Sequence, residues 1–231
     1  MTHDAQQALK QHAADHAVTA VESGMILGLG SGSTATLAIR RIGAMLGDGR
    51  LHDIAGVPTS SVIADVARAA GIPLTTLDEH PRLDLTIDGA DEVDPALNLI
   101  KGGGGALLRE KIVAQATARE IIIVDESKLS PQLGVKWAVP IEVVTFGWQA
   151  QARFLEGLGG APVLRRTARG EPLVTDHGNY ILDTNFGPID DLDSLTRTLE
   201  GRAGIVEHGI FLGLADEVIV AGSTGIRRLT R

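Results

Sequence analysis

Apolar and polar positions along this chain fall into short blocks whose period switches in a regular order. Residues 5–21 place Leu9, Ala13, Ala17, Ala20 and Val21 at helical spacing, and Ser23-Gly24 stops the run. Residues 25–29 are apolar and read as a buried strand, followed by a helix over 33–46 with Ala35, Ala38, Ile39, Ile42 and Met45 on one face. The same alternation predicts a strand at 54–57, a helix at 61–70, and strands at 74–77 and 83–87. A glycine run then opens a helix to about residue 118, and a strand covers 121–124. Short apolar strands separated by amphipathic helices imply an α/β fold with a mainly parallel sheet.

After Lys128-Leu129-Ser130-Pro131 the rhythm changes. Strand 138–144, helix 148–158, strand 161–166, a hairpin around 176–179, helix 190–200 and strand 204–208 follow in order. That succession approximates β-α-β-β-α-β, the split βαβ arrangement of ferredoxin-like α+β domains. A last apolar strand, 217–221, has the character of the first domain again. The expected organisation is therefore a larger domain from residues 1–132 plus about 210–231 and a smaller α+β domain at about 133–209, with no internal repeat.

Composition narrows the function. The formal charge is −8 over 231 residues, with no basic stripe, which argues against a nucleic-acid partner. The pairs Arg40-Arg41, Arg165-Arg166 and Arg227-Arg228 are scattered and read as solvated faces. The absence of cysteine removes disulfides, thiolate catalysis and Cys-based metal sites, and the histidines show no metal-ligand spacing, so a zinc site is not expected. No signal-like N-terminal pattern and no apolar run of membrane-spanning length is present, so the expectation is a cytoplasmic protein without a membrane partner.

Two segments carry candidate chemistry. Gly28-Leu29-Gly30-Ser31-Gly32-Ser33-Thr34 joins a strand to a helix, and backbone donors, hydroxyls and the helix dipole suit a phosphate there. The loose spacing of Gly30, Gly32 and Ala35 also fits a dinucleotide turn, although the next strand ends in Pro58-Thr59-Ser60 with no acidic residue for a ribose. A purely structural turn is the third reading.

The second segment is DGADEVDPALNLIKGGGGALLREK, residues 88–111. Asp88 should project from a strand at the carboxyl edge of the sheet, with Asp91 in the same loop. Asp94, before Pro95, reads as a turn or capping residue. Lys101 enters a run of four glycines, and Glu110 falls early in the next helix near Ala106, Val113 and Ala114. An apolar neighbourhood raises a carboxyl pKa towards the range of a working base. Lys128 follows strand 121–124 and should occupy the same sheet edge; Lys10 lies beside the stripe of the first helix and could reach the same anion. Singly, each residue has a bland explanation. Packed into 24 residues, the carboxylates, lysine and glycines favour an active site.

With these motifs the sequence closely resembles ribose-5-phosphate isomerases of the A type. The resemblance spans GLGSGSTA, DGADEVD, IKGGGGALLREK, VDESK, VTDHGNYILD and GIVEHGIF in order. It implies a Rossmann-like domain with a smaller α/β domain, and interconversion of ribose 5-phosphate and ribulose 5-phosphate without metal or cofactor. It also implies a small-molecule sugar phosphate as partner and a homodimer or homotetramer. By resemblance Ser31, Gly32, Ser33 and Thr34 surround the phosphate, and Asp88, Gly89, Ala90 and Asp91 hold substrate. Lys101, Gly102, Gly103 and Gly104 form the glycine segment, Glu110 transfers the proton, and Lys128 binds substrate, with Lys10 a phosphate contact in some relatives. Ser31 stands where threonine is common, and Gly105 where alanine is common.

Two other readings remain. A sugar-phosphate deaminase or CoA transferase of related architecture is one; a deaminase is expected to need a histidine near its acids, and His80 is the sole nearby candidate. A non-catalytic sugar-phosphate sensor is the other, and it would be expected to carry a basic DNA-binding segment that the sequence lacks.

Overall fold

The computed structural model describes residues 3–231, with side chains from Gln6 onward. The first two residues of the expected larger domain, and the side chain of Ala5 in the expected first helix, lie outside them. In chain order the elements begin with α1 (His3–Val18), β1 (Ile26–Leu29), α2 (Ser33–Gly47), β2 (Ala55–Pro58) and α3 (Ser61–Ala69). Next are β3 (Leu85–Asp88), β4 (Glu92–Val93), β5 (Leu99–Ile100), α4 (Leu107–Gln115) and β6 (Glu120–Asp125). A 3₁₀ turn at Glu126–Lys128 leads to β7 (Val139–Val143), α5 (Trp148–Gly157), β8 (Ala161–Leu164), β9 (Tyr180–Asn185) and α6 (Leu192–Glu200). The chain ends with β10 (Ile205–His208), β11 (Ile210–Phe211), β12 (Glu217–Gly222) and β13 (Gly225–Thr230).

These elements form two compact units. The first gathers the chain up to Ala90 with Arg109–Leu129 and Gly213–Arg231; the second holds Asp91–Leu108 and Ser130–Leu212.

In the first unit the sheet runs β13-β12-β6-β3-β1-β2, parallel except for the antiparallel edge strand β13. One face packs Leu27, Leu29, Leu85, Ile87, Ile121 and Ile219 against apolar residues of α1, α2 and α3. On the other face Val113 of α4 meets Val57 and Leu83. Cover on both faces is why these strands read as unbroken apolar runs. The chain moves from β1 outward to β2, then returns to lay β3 on the other side of β1. That reversal creates a switch point, the place where open α/β sheets bind ligands beyond the carboxyl ends of their strands.

The second unit holds an antiparallel sheet in the order β10-β7-β9-β8, with α5 and α6. Numbered within the unit as 4-1-3-2, this is the ferredoxin-like topology. Its core includes Val139, Ile141, Leu155, Leu182 and Leu199. A small antiparallel sheet, β11-β5-β4, completes it.

Several expectations need correction. No strand forms at 74–77; Leu74 contributes a single bridge to Gly56, and polar Thr75 and Thr76 follow it. Helix α4 stops at Gln115, where Thr117 turns its hydroxyl back onto the Val113 carbonyl at 2.7 Å. Residues 91–108 group with the second unit because β4 and β5 pair with β11. Arg165 is not a solvated residue: its side chain is 13% exposed and paired with Asp183.

Candidate active site

Strand register aligns the carboxyl edge of the large sheet. Leu29 at the end of β1 pairs with Pro58 at the end of β2, so the glycine loop after β1 lies beside Thr59 and Ser60. The Ser31 hydroxyl is 2.9 Å from the Thr59 hydroxyl and donates to that of Ser60 at 3.2 Å. Thr59, fully buried, also donates to the Leu29 carbonyl at 2.9 Å. Ser60 in turn caps α3, accepting from the Ile63 amide at 3.2 Å. Thr59 and Ser60 therefore brace the loop. The sequence signal was their position at the end of the strand adjoining the loop.

On the other side of β1, Asp88 ends β3 and is 1% exposed. One of its carboxylate oxygens accepts the Ser31 amide at 2.9 Å and the Gly89 amide at 2.6 Å. Gly30 makes this approach possible, because a Cβ there would lie 2.4 Å from the Asp88 Cα. Gly28 plays the same part against the Thr86 side chain, where a Cβ would come within 1.9 Å. The loop then turns through Gly32 at φ +101° into α2, leaving residues 33 and 34 in its first turn. Lys10 of α1 donates to the Ser33 hydroxyl at 3.0 Å. Ser31, Gly32, Ser33, Thr34 and Lys10 thus share one locus with Asp88, Gly89 and Ala90 beside it. Amides of a helix N-terminus and an ammonium group meet there, an arrangement that suits a phosphate.

Lys128 occupies the 3₁₀ turn after β6, two strands from β1 on the same edge. Asp125 orders this turn by accepting from the Ser127 amide at 2.9 Å, from the Ser127 hydroxyl, and from Gln6 of α1 at 3.3 Å. Burial pushes the Asp125 carboxyl up, but the Ser127 and Gln6 hydrogen bonds and the Lys128 charge outweigh it and hold the carboxyl below its usual range. Glu110 lies in the first turn of α4 and is 5% exposed.

The remaining candidates belong to the second unit. Asp91 lies at the start of the β4–β5 hairpin, and its carboxylate accepts the Gly103 amide at 2.7 Å. Lys101 follows β5, is 2% exposed, and carries its ammonium 5.5 Å from the Phe211 ring centre. Its amide donates to the Gly209 carbonyl at 2.8 Å. A lysine this buried is costly and points to a role for its charge. Gly102 and Gly105 adopt φ +99° and +85°, the left-handed region that favours glycine, and Gly103 and Gly104 lie between them. Asp94 is structural: its carboxylate accepts the Ala96 and Asn98 amides, both at 2.8 Å, and closes the hairpin turn. Among the described residues no cluster of acids and histidines could hold a metal ion.

A mainly parallel α/β sheet whose glycine loop opens a helix at the switch point, on a chain that also carries a buried lysine beside a second glycine loop, places the protein in the class of open α/β folds that bind ligands beyond the carboxyl ends of their strands. The chain belongs to the ribose 5-phosphate isomerase A (phosphoriboisomerase A) family, whose model matches residues 55–225. It is 56% identical over 224 residues to ribose-5-phosphate isomerase A of Desulfatibacillum aliphaticivorans, covering 97% of each chain. To the protein of that name from Chloroflexus aurantiacus it is 58% identical over 221 residues, 96% of this chain and 92% of the relative. A D-ribose-5-phosphate isomerase solved in complex with phospho-erythronic acid superposes with a TM-score of 0.95 at 40% identity, over 97% of this chain and 99% of the other. No helix among the described residues is long and apolar enough to cross a membrane.

Proposed function

We propose that the chain interconverts D-ribose 5-phosphate and D-ribulose 5-phosphate, with Glu110 as general base. The observation that carries this reading is the Ser31–Asp88 contact at the switch point, which joins a phosphate-type cradle to a buried carboxylate able to hold a sugar hydroxyl. Family membership supports it, as does the phospho-erythronic acid complex of the related isomerase, since that ligand is a phosphorylated sugar acid.

In this reading the amides of residues 32–34, with Lys10 and Lys128, hold the phosphate. Asp88 and Asp91 hold hydroxyls and assist opening of the furanose ring. Glu110 removes the C2 proton of the open aldose and returns it to C1, while the O2 hydroxyl proton passes to O1 in the enediolate, so that O1 becomes the hydroxyl and C2 the carbonyl of the ketose. The charge that develops on oxygen in the enediolate is stabilised by Lys101 and the amides of the glycine loop. No step calls for a metal. The same reading makes the protein a cytoplasmic homodimer or homotetramer, as the family resemblance implies.

The test is direct: follow ribulose 5-phosphate formation for the wild-type protein and for Glu110→Gln. The variant keeps the shape of its carboxyl and should fold normally by circular dichroism while turnover falls about 10²–10⁴-fold. Near-wild-type turnover would refute Glu110 as the base. Calorimetric binding of ribose 5-phosphate by a wild-type protein with no turnover would favour the sensor instead.

A further inference from the structure

The loop 102–104 is held from a direction that the motif itself does not reveal. Arg165 leaves the end of β8, its own amide donating to the Ile181 carbonyl of β9 at 2.9 Å. Its guanidinium forks onto Asp183 of β9, with Nε at 2.8 Å and Nη2 closer still. The remaining nitrogen, Nη1, donates to the Gly102 carbonyl at 2.8 Å and to the Gly103 carbonyl at 3.1 Å. One planar group thus spans a carboxylate and two successive carbonyls, a geometry that a lysine ammonium does not reproduce.

Fixing these carbonyls fixes two amides. All peptide bonds in the described chain are trans, so each N–H points opposite to the carbonyl of the same peptide plane. Arg165 draws the Gly102 and Gly103 carbonyls to its own side, and so turns the Gly103 and Gly104 amides to the other. The first of those amides meets the Asp91 carboxylate at 2.7 Å. Without the guanidinium the turn hydrogen bond from the Gly105 amide to the Gly102 carbonyl at 2.9 Å remains, but the Gly103 carbonyl loses this anchor, and glycine backbones have many conformations open to them.

We infer that the ion pair of Arg165 with Asp183 is a positioning element for catalysis: it aims the Gly103 and Gly104 amides, and through them the Asp91 carboxylate, towards the substrate. This rests on the reading of residues 101–104 as a substrate loop. Arg165 does not touch the reacting atoms. It presets donors that must not reorganise when charge develops on the enediolate oxygen.

The test measures kcat and KM for ribose 5-phosphate isomerisation in Arg165→Ala and Arg165→Lys, with thermal unfolding and circular dichroism on the same samples. In folded Arg165→Ala, kcat/KM should fall about 10–100-fold, the loss produced by misplacing positioned groups by about 1 Å. Most of the fall should lie in kcat, and low, non-denaturing guanidinium should restore part of it. A merely structural arginine would lower the unfolding temperature without moving kcat of the folded enzyme or responding to guanidinium. Wild-type kcat/KM in folded Arg165→Ala overturns the proposal, and so does a loss that guanidinium leaves unchanged. Should Arg165→Ala fail to fold, Arg165→Lys decides: reduced kcat supports the role, and wild-type kcat/KM refutes it. Lys101→Met separates the two levels of the argument. Wild-type turnover in that variant would remove the substrate-loop reading itself, whatever Arg165 does.

Discussion

Gly30→Ala tests the switch point with a single methyl group. The φ of Gly30 is not in the left-handed region, so the substitution carries no backbone penalty of that kind and its cost is contact alone. The new Cβ would lie 2.3 Å from the Asp88 carboxyl carbon, 2.4 Å from its Oδ1, and 2.4 Å from its Cα. The side-chain atoms can rotate away, but the Cα cannot. Ordinary contact starts at 3.4 Å, so β1 and β3 must separate by about 1 Å at their carboxyl ends. Overpacking of this kind costs about 1–3 kcal/mol. Stretching the Ser31 amide away from the Asp88 carboxylate adds about 1.5–3 kcal/mol, the worth of a hydrogen bond to a charged group. At roughly 2–4 °C per kcal/mol for a protein of this size, unfolding should move down by about 5–25 °C. Isomerase activity should suffer more than stability, with kcat/KM lowered on the order of 10²-fold because Asp88 and the phosphate loop move apart. The informative comparison is Gly32→Ala, where no atom lies within 4 Å of the added Cβ and only the φ of +101° is strained. Equal unfolding temperatures and equal kcat/KM for Gly30→Ala and wild type would refute the close-approach argument.

Three further outcomes are expected. Exhaustive chelation should leave turnover unchanged; activity lost on chelation and regained with metal would overturn the metal-free mechanism. Glu92, fully buried, accepts the amides of Gly134, Lys136 and Trp137 at 2.9, 3.0 and 3.2 Å, so Glu92→Ala should destabilise by about 3 kcal/mol, read as a lower urea midpoint. Glu217 is held below the ordinary carboxyl value of 4.5 chiefly by its hydrogen bond to Arg228, against the opposing effect of burial and with help from Arg119. Because its folded pKa is depressed, its stabilisation is complete above 4.5 and is lost as pH falls through the lowered value. Arg228→Met should flatten that acid limb of stability against pH, and an unchanged limb would show that the pair does not matter.

The parts of this protein that local pattern encodes were legible in the sequence. Continuous apolar runs identified β1, β3, β6 and β12 as strands of one covered sheet, because burial on both faces leaves a mark on every residue of a strand. Period changes located the ferredoxin-like order after residue 130. The candidate residues Ser31, Asp88, Lys101 and Glu110 were visible because they sit in dense motifs at strand ends and helix starts. Elements too short for a period were not visible: β4, β5 and β11 span two residues each, and only their mutual pairing makes them strands. The run 74–77, Leu-Thr-Thr-Leu, looked like a strand because leucine and threonine suit one locally, but local content does not specify a pairing partner and only Leu74 finds one, in a single bridge to Gly56.

Long-range partners were decided by the tertiary structure. The brace of Thr59 and Ser60 on Ser31 exists because β1 and β2 lie side by side in register, a relation between residues about thirty positions apart. Arg165, one of a pair that composition marked as solvated, grips a loop more than sixty positions away. A sequence displays which groups are available and how nearby residues share a face. Which distant group satisfies a given carbonyl or carboxylate depends on chain crossings that no local period records. For this protein the sequence by itself determined the elements and the chemical inventory, and the fold determined what holds that inventory in place.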